Sequence, residues 1–430
     1  MKKELNEQFI IDLSKKKKEP KWMLDFRLKS YQKFKELDNP NFGPKLDIDF
    51  DNIEYYKGTR EELTNDWNKV NCSIRNTFDN LGVIDAENKY LGGVTNQFES
   101  EVVYHSNKEE NGVIFTSTDD ALQKYPDLFK KYFNNLVKYT ENKYTALNGA
   151  VWSGGSFIYV PKGVKVDRPL QSYFRIETES LGQFERTIII VDDGADLNYI
   201  EGCTAKNYSS SSLHAGVVEI YVNKNAHCRY STIQNWSTDV YNLVTKRAIV
   251  DDYGTMEWVD GNIGSKVTMK YPSCILKGTG STGNSISIAY AKEHQYLDAG
   301  AKMIHLAPYT KSNIVSKSIA QDGGTSNYRG TTRISKDAIN SKATIKCDTI
   351  ILDEKSTSDT YPKNIVDNSS STLEHEATIS KVSAEKLFYL TSKGLSEDSA
   401  KELLIMGFIS DFKKELPMEY AVELNRLLKE

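Results

Sequence analysis

The sequence predicts a mainly β protein, with a long β body flanked by helical regions at both ends. Three observations predict it. Up to about residue 148 the apolar residues recur mostly at helical spacing. From about 150 to 380 they fall into short β-rich runs broken by Gly, Asp, Asn and Ser. Beyond about 383 the helical spacing returns. The expected divisions are residues 1–148, 149–382 and 383–430.

In the first region, "WMLDFRLKSYQKFKEL" and "TDDALQKYPDLFKKYFNNL" carry the helical pattern. The run "KKKK" at 15–18 reads as a solvated helix end rather than a basic address tag. In the second region "SFIYVPKG", "ERTIIIVDDG", "GVVEIYVNKN", "NLVTKRAIVDDYG", "TMEWVDGN" and "KATIKCDTIIL" recur roughly every dozen residues. That rhythm suits a solenoid, a sandwich or a barrel. Asp-Gly pairs at 193–194, 260–261 and 322–323 favour antiparallel hairpins, so periodicity alone points to a sandwich. In the last region Ser383 and Ser396 stand where N-caps belong, and Glu397 and Asp398 fit a first turn. Gly394 and Gly407 fit just past two helix ends, and "LPMEYAVELNRLLKE" closes the chain amphipathically.

Of the 430 residues, 39% are hydrophobic and 27% charged, an ordinary globular balance. A formal charge of −4 argues against a dedicated nucleic-acid binder. There is no apolar run long enough to predict a membrane span, and the N-terminus lacks the pattern of a signal peptide. Cys72, Cys203, Cys228, Cys274 and Cys347 are odd in number, far apart and without a CxxC pair. They suit neither a disulfide framework nor a zinc ribbon and suggest a reducing compartment.

Three stretches hold side chains with chemical potential. In "STLEHEATISK" (371–381), strand alternation puts Glu374 and Glu376 on one face and His375 on the other. They read as a wet surface, an acid/base pair or metal ligands. In "TIKCDTII", Cys347 shares a face with Ile345, Thr349 and Ile351. In "LNYIEGCTA", Cys203 shares a face with Leu197, Tyr199 and Glu201. A thiolate is a nucleophile and a soft-metal ligand, although a lone cysteine on an apolar face is more often a small buried hydrophobe. The six histidines show no HxH or HxxxH spacing, and "GTGSTGN" lacks the GK[ST] ending of a phosphate loop.

Longer blocks carry a resemblance. "WSGGSFIYVPKGVKVDRPLQSYFRI", "GQFERTIIIVDDGADLNYIEGCTA", "LHAGVVEIYV" and "IQNWSTDVYNLVTKRA" are four of them. "MEWVDGNIGSKVTMKYPSCILKG", "DAGAKMIHLAP", "KCDTIILDEKSTSDTYP" and "LEHEATISKVSAEKLFYLTSKGLSEDSAKELLIMGF" follow. From about residue 20 onward the chain resembles the SufB/SufD family of the SUF iron–sulfur cluster assembly system. The EGC, QNW, KCD and LEHEA blocks look like its SufB branch.

The resemblance implies a right-handed parallel β-helix with helical flanks, in place of the sandwich. It implies a scaffold that is not itself an enzyme and works beside a SufC ATPase, which hydrolyses the ATP, and SufD or a second SufB copy. A cysteine desulfurase and its sulfur-transfer partner supply sulfur, and apoproteins or carriers accept the product; neither nucleic acid nor membrane is a partner. The cofactor implied is a transient iron–sulfur cluster, with reduced flavin admitted in the complex. Carried over residue by residue, Cys203 is the sulfur acceptor. Cys347 is the sulfur terminus and a cluster ligand. Arg175, Gln234, Trp236 and Lys246 match positions of the passage between them. Glu374, His375 and Glu376 match the cluster-forming region, with Glu376 ranked first after Cys347 and expected to converge with it, Glu374 second, and His375 expected as a core or hydrogen-bonding residue. Localisation is expected in a bacterial cytoplasm or a plastid stroma.

The chain departs from the family pattern in places. Only Cys72 stands near the N-terminus, position 177 is Glu where Asn is common, and "LDEKSTSDTYP" lacks a cysteine and histidine that some members carry. Cys228 and Cys274 are expected to be structural. The rival readings are a β-helix polysaccharide lyase or hydrolase, and a purely structural SufC platform.

Overall fold

A computed structural model of the chain describes residues 4–59, 61–109, 111–206, 211–382 and 384–415. The β runs do not pair with their sequence neighbours. Each lies parallel to a run roughly thirty residues away, as Asp260 with Ser287 and Ser316 with Cys347. The result is a parallel β-solenoid of about eight turns with helices at both ends.

Two sheets form its walls. The ten-stranded sheet starts with the antiparallel pair Glu101–Asn107 and Gly93–Phe98. It continues in parallel through Leu170–Ile176, Asp196–Ala205, His227–Trp236 and Thr255–Gly264. Thr282–Ala291, Lys311–Ala320, Lys342–Ile351 and Thr372–Lys381 complete it. A twelve-stranded sheet faces it, and between them lies a core that includes Ile158, Ile189, Val250, Trp258, Cys274 and Met303.

The sandwich expected from periodicity is therefore corrected. Asp193-Gly194 and Asp322-Gly323 do turn the chain, with Gly194, Asp322 and Gly323 at positive φ. They turn it at corners that pass from one sheet to the other, where the same turn chemistry serves without a hairpin. Asp260-Gly261 is no turn at all and lies within the strand Thr255–Gly264.

Helices cover the outer faces. Lys21–Glu36 and Lys143–Val151 pack on the twelve-stranded sheet. Within that layer Arg27 is fully buried, held by Glu19 and by the carbonyls of Ala150 and Trp152. On the ten-stranded sheet, Cys72–Asn80 covers one end. Ile405, Ile409 and Phe412 of the C-terminal region cover Ile288, Tyr290 and Ile319 at the other.

Several expectations need correction. The first region also contains the strands Gly93–Phe98, Glu101–Asn107 and Ile114–Ser117, whose short runs are masked by helical neighbours in sequence. Lys15, Lys16 and Lys18 are an exposed helix end as expected, but the Lys17 side chain turns in, 2.6 Å from Asp119, and donates to Ser153 and to the Trp152 carbonyl. Gly407 lies inside the helix Glu397–Phe408, which continues because Ile409 behind it is buried. Ser396 is an N-cap, its hydroxyl accepting from the Ser399 amide and donating to Ser399 Oγ, while Gly394 is left-handed past Ala384–Ser392. Ser383 and the segment "LPMEYAVELNRLLKE" lie outside the described residues.

Candidate functional site

Alternation along each strand of the ten-stranded sheet sends every second side chain into the solenoid. Stacking in register then lines these side chains up from coil to coil. One such line runs Thr95, Ser172, Glu201, Thr232, Asp260, Ser287, Ser316, Cys347 and Ala377. From Thr95 to Cys347 every member is polar or a thiol, and every one is buried. The line next to it is Tyr199, Tyr230, Trp258, Ser285, Ile314, Ile345 and His375, mostly aromatic or aliphatic. An interior polar stripe thus crosses a dry core. From Glu201 to Cys347 it spans five strand spacings, about 24 Å.

Cys203 stands one inward position beyond Glu201, in register with Gln234. It is wholly buried, packed with Phe174, Ile176, Leu181 and Trp236. Its thiol points to Glu201 Oε1 at 3.9 Å. Around it lies a cluster of charges. Lys246 Nζ is 3.8 Å from Glu201 and 3.6 Å from Asp260, and sits 4.4 Å from the Tyr230 ring centre. Lys270 Nζ is 2.9 Å from Asp260 and donates to Gln234 Oε1 at 3.2 Å. Asn242 also donates to Gln234 Oε1, and its own carbonyl meets His214, whose second nitrogen meets Glu185. The His214 and Trp236 rings lie 4.6 Å apart.

Burial pushes the Cys203 thiol well up, reinforced by the Glu201 and Glu185 carboxyls. Burial also raises Glu201, against the pull of Lys246. Burial lowers Lys270 to about 8 despite Asp260 beside it. At Asp260 burial raises the carboxyl, but Lys270 and Lys246 together outweigh it and hold it low. Buried polar atoms of this interior that make no hydrogen bond include Thr232 Oγ1, Gln234 Nε2, Trp236 Nε1, Lys246 Nζ and Asn262 Oδ1, with Glu201 Oε2 and the Asp260 oxygens among the carboxylates. Such groups are rare in native interiors and need a reason.

The structure therefore brings Cys203, Gln234, Trp236 and Lys246 together. It does not bring in Arg175. Phe174 is the residue that faces Cys203, and Arg175 points to the outer side, where it engages Glu177 at 3.2 Å and Thr204 at 3.1 Å. Sequence reading put Glu201 on the face of Cys203 but missed Asp260, Lys270, Asn242 and His214. Asp260 falls in an Asp-Gly pair that reads as a hairpin turn, and only the coil register shows that it and Lys270 point inward.

At the far end of the stripe Cys347 is buried beside Tyr328, and burial pushes its thiol up to about 12. The next strand, Thr372–Lys381, ends the ten-stranded sheet. Here the expected convergence of Cys347 with Glu376 is overturned. Glu376 is in register with Lys346, 3.8 Å away as an exposed ion pair, and both point outward with Glu374. His375 is the member of the three on Cys347's side of the sheet. Its Nδ1 meets Asn364 at 3.1 Å, and its Nε2 is buried without a hydrogen bond. Cys228 and Cys274 lie in the main core, as structural cysteines would.

The SufBD core domain of the SUF iron–sulfur cluster assembly system matches residues 174–408, and the SufBD N-terminal region matches residues 16–172. Proteins named "Iron-sulfur cluster assembly SufBD family protein" from Staphylococcus epidermidis, Staphylococcus saprophyticus and Staphylococcus aureus are each 57% identical over 429 residues. Each alignment covers 99% of this chain and 92% of the relative. No described helix is long and apolar enough to cross a membrane.

Proposed function

The chain belongs to the SufBD family of iron–sulfur cluster assembly proteins, and from that premise we propose that it is a SufB-type scaffold. It takes sulfane sulfur on Cys203, passes it inside the solenoid, and holds a nascent cluster at the Cys347 end for transfer to apoproteins or carriers. The observation that carries this reading is the polar stripe, which leads from Glu201, beside Cys203, to Cys347 through Thr232, Asp260, Ser287 and Ser316. Gln234, Trp236 and Lys246 line its first part. Arg175 acts from outside it, by fixing the strand that carries Phe174 against Cys203.

The cluster is cargo. Cys347 and His375 are its ligands from this chain, because they share the inner face at the open end of the sheet. A nascent cluster must be held and then surrendered, so one thiolate with weaker ligands suits it. SufD or a second copy of the chain completes the shell by adding to the free edge of Thr372–Lys381, where Glu374 and Glu376 meet the partner. A desulfurase and its sulfur-transfer partner load Cys203, in the cytoplasm of a bacterium. ATP hydrolysis belongs to a SufC subunit docked on Ala384–Ser392, whose Phe388 and Tyr389 are 74% and 61% exposed. Incubation with a desulfurase followed by peptide mass spectrometry tests the route. Sulfur appears on Cys203 and Cys347 in the natural chain and on neither in Cys203→Ser; sulfur that still reaches Cys347 in that variant refutes it.

A further inference from the structure

The charge cluster beside Cys203 balances only while Glu201 is ionised. Two ammonium groups, Lys246 and Lys270, share one strongly engaged carboxylate, Asp260. The second carboxylate, Glu201, is the group to which the Cys203 thiol donates. If Glu201 takes that proton, the buried group is left with two cations and one anion. Lys246 Nζ, wholly buried and 3.6–3.8 Å from the two carboxylates, makes no hydrogen bond and is the group left to donate one to an anion.

We propose that Lys246, Lys270 and Glu201 form a buried anion site for the sulfur on Cys203, in which Glu201 takes the thiol proton and the two lysines balance a persulfide anion. The proposal rests on Cys203 being the sulfur acceptor and says in what form the sulfur is held. The step balances. The Cys203 thiolate attacks the outer sulfur of a protonated donor persulfide; one S–S bond forms as another breaks, the donor sulfur leaves as a thiol with the proton of the transferred sulfur, and no net electrons are exchanged. The charge that Cys203 carried as thiolate is then carried by its terminal sulfur. An apolar interior disfavours either anion unless opposite charge lies within a few ångströms. Lys270 reaches it through Gln234, which it holds and which is the register neighbour of Cys203. Lys270 is accordingly a positioning residue, and burial keeps its ammonium less basic than a surface lysine. The titratable groups that face this site are Asp260, Lys246, Lys270, Glu201, Cys203, Tyr199 and Tyr230, with His214 and Glu185 behind them.

The test is the pH dependence of loading in the full chain, with inorganic polysulfide as the probe. Persulfide on the Cys203 peptide is read by mass spectrometry between about pH 6 and 9. Lys270→Met removes one cation, so the pH of half-loading moves up by about one unit or more. Asp260→Asn removes the opposing anion, so it moves down. A merely structural pair, once broken, does not shift loading in opposite directions. Shifts of the same sign, or no shift in a chain that loads normally, overturn the anion site. If Lys270→Met does not fold, the downward shift in Asp260→Asn decides alone. A natural chain that carries no sulfur on Cys203 overturns the acceptor reading instead, and the site with it.

Discussion

The Cys347 thiol and the Glu376 carboxylate stand on opposite faces of one sheet, although their strands are neighbours; Lys346, not Cys347, is the register partner of Glu376. A ligand set on one face therefore pairs Cys347 with His375. After anaerobic reconstitution of the isolated chain, Cys347→Ala and His375→Ala are expected to lose most of the bound iron and sulfide. Glu376→Ala is expected to keep them and to weaken only association with the partner subunit. Loss of iron from Glu376→Ala in the isolated chain would mean that the last strand rearranges to turn its outer face inward.

The outer face of the same sheet carries a pH-sensitive group. His227 lies 3.3 Å from both Asp196 and Glu257, with Arg229 beside Glu257 and Lys165 beside Asp196. The Glu257 hydrogen bond raises His227, and the His227 hydrogen bond lowers Glu257 to about 2. A raised histidine stabilises the fold below its unfolded value, about 6.5, and that share is lost as pH rises through the higher folded value. A lowered glutamate stabilises above about 4.5, and its share is lost as pH falls toward 2. Urea melts should therefore show a His227-dependent decline as pH rises above about 6.5. In His227→Gln that decline should vanish; an unchanged pH profile would exclude the linkage.

Glu219 anchors the first region to the solenoid. It is fully buried against Arg186 at 2.9 Å and accepts the amides of Asn134, Leu136 and Val137. Glu219→Ala leaves Arg186 buried and unpaired, a loss of about 3–5 kcal/mol. Chemical denaturation should show it; a loss below about 1 kcal/mol would mean that water reaches Arg186 in the variant.

Docking of a SufC subunit is best tested by surface substitution. Removing everything after Lys381 would strip Ile405, Ile409 and Phe412 from the outer face of the solenoid and expose Ile288 and Ile319. Phe388→Ser with Tyr389→Ser touches only exposed rings. Binding of a SufC ATPase should fall at least about tenfold, as for loss of interface aromatic anchors, while the melting temperature stays put. Undiminished binding would place the dock elsewhere.

The sequence showed the face each site residue occupies but not the company it keeps. Alternation placed His375 opposite Glu374 and Glu376, and placed Cys347 with Ile345, as the structure has them. It did not show which strand lies alongside, because a parallel coil and an antiparallel meander have the same local pattern and differ only in partners about thirty residues apart. That register decides that Lys346 meets Glu376, and that Asp260 and Lys270 enter the group around Cys203. Arg175 illustrates the same limit. It neighbours Phe174 in sequence, yet alternation turns it away from the thiol.

The central claim is that sulfur travels inside the solenoid from Cys203 to Cys347, and Ser316 is the place to obstruct it. Ser316 is buried, lies on the stripe directly before Cys347 and is bonded to Ser287 at 3.2 Å. Ser316→Leu fills that position at a cost of about 1–3 kcal/mol, far from Cys203. After incubation with a desulfurase, peptide mass spectrometry should find sulfur on Cys203 as in the natural chain and little or none on Cys347. Equal labelling of Cys347 in the natural and Ser316→Leu chains would contradict an interior route.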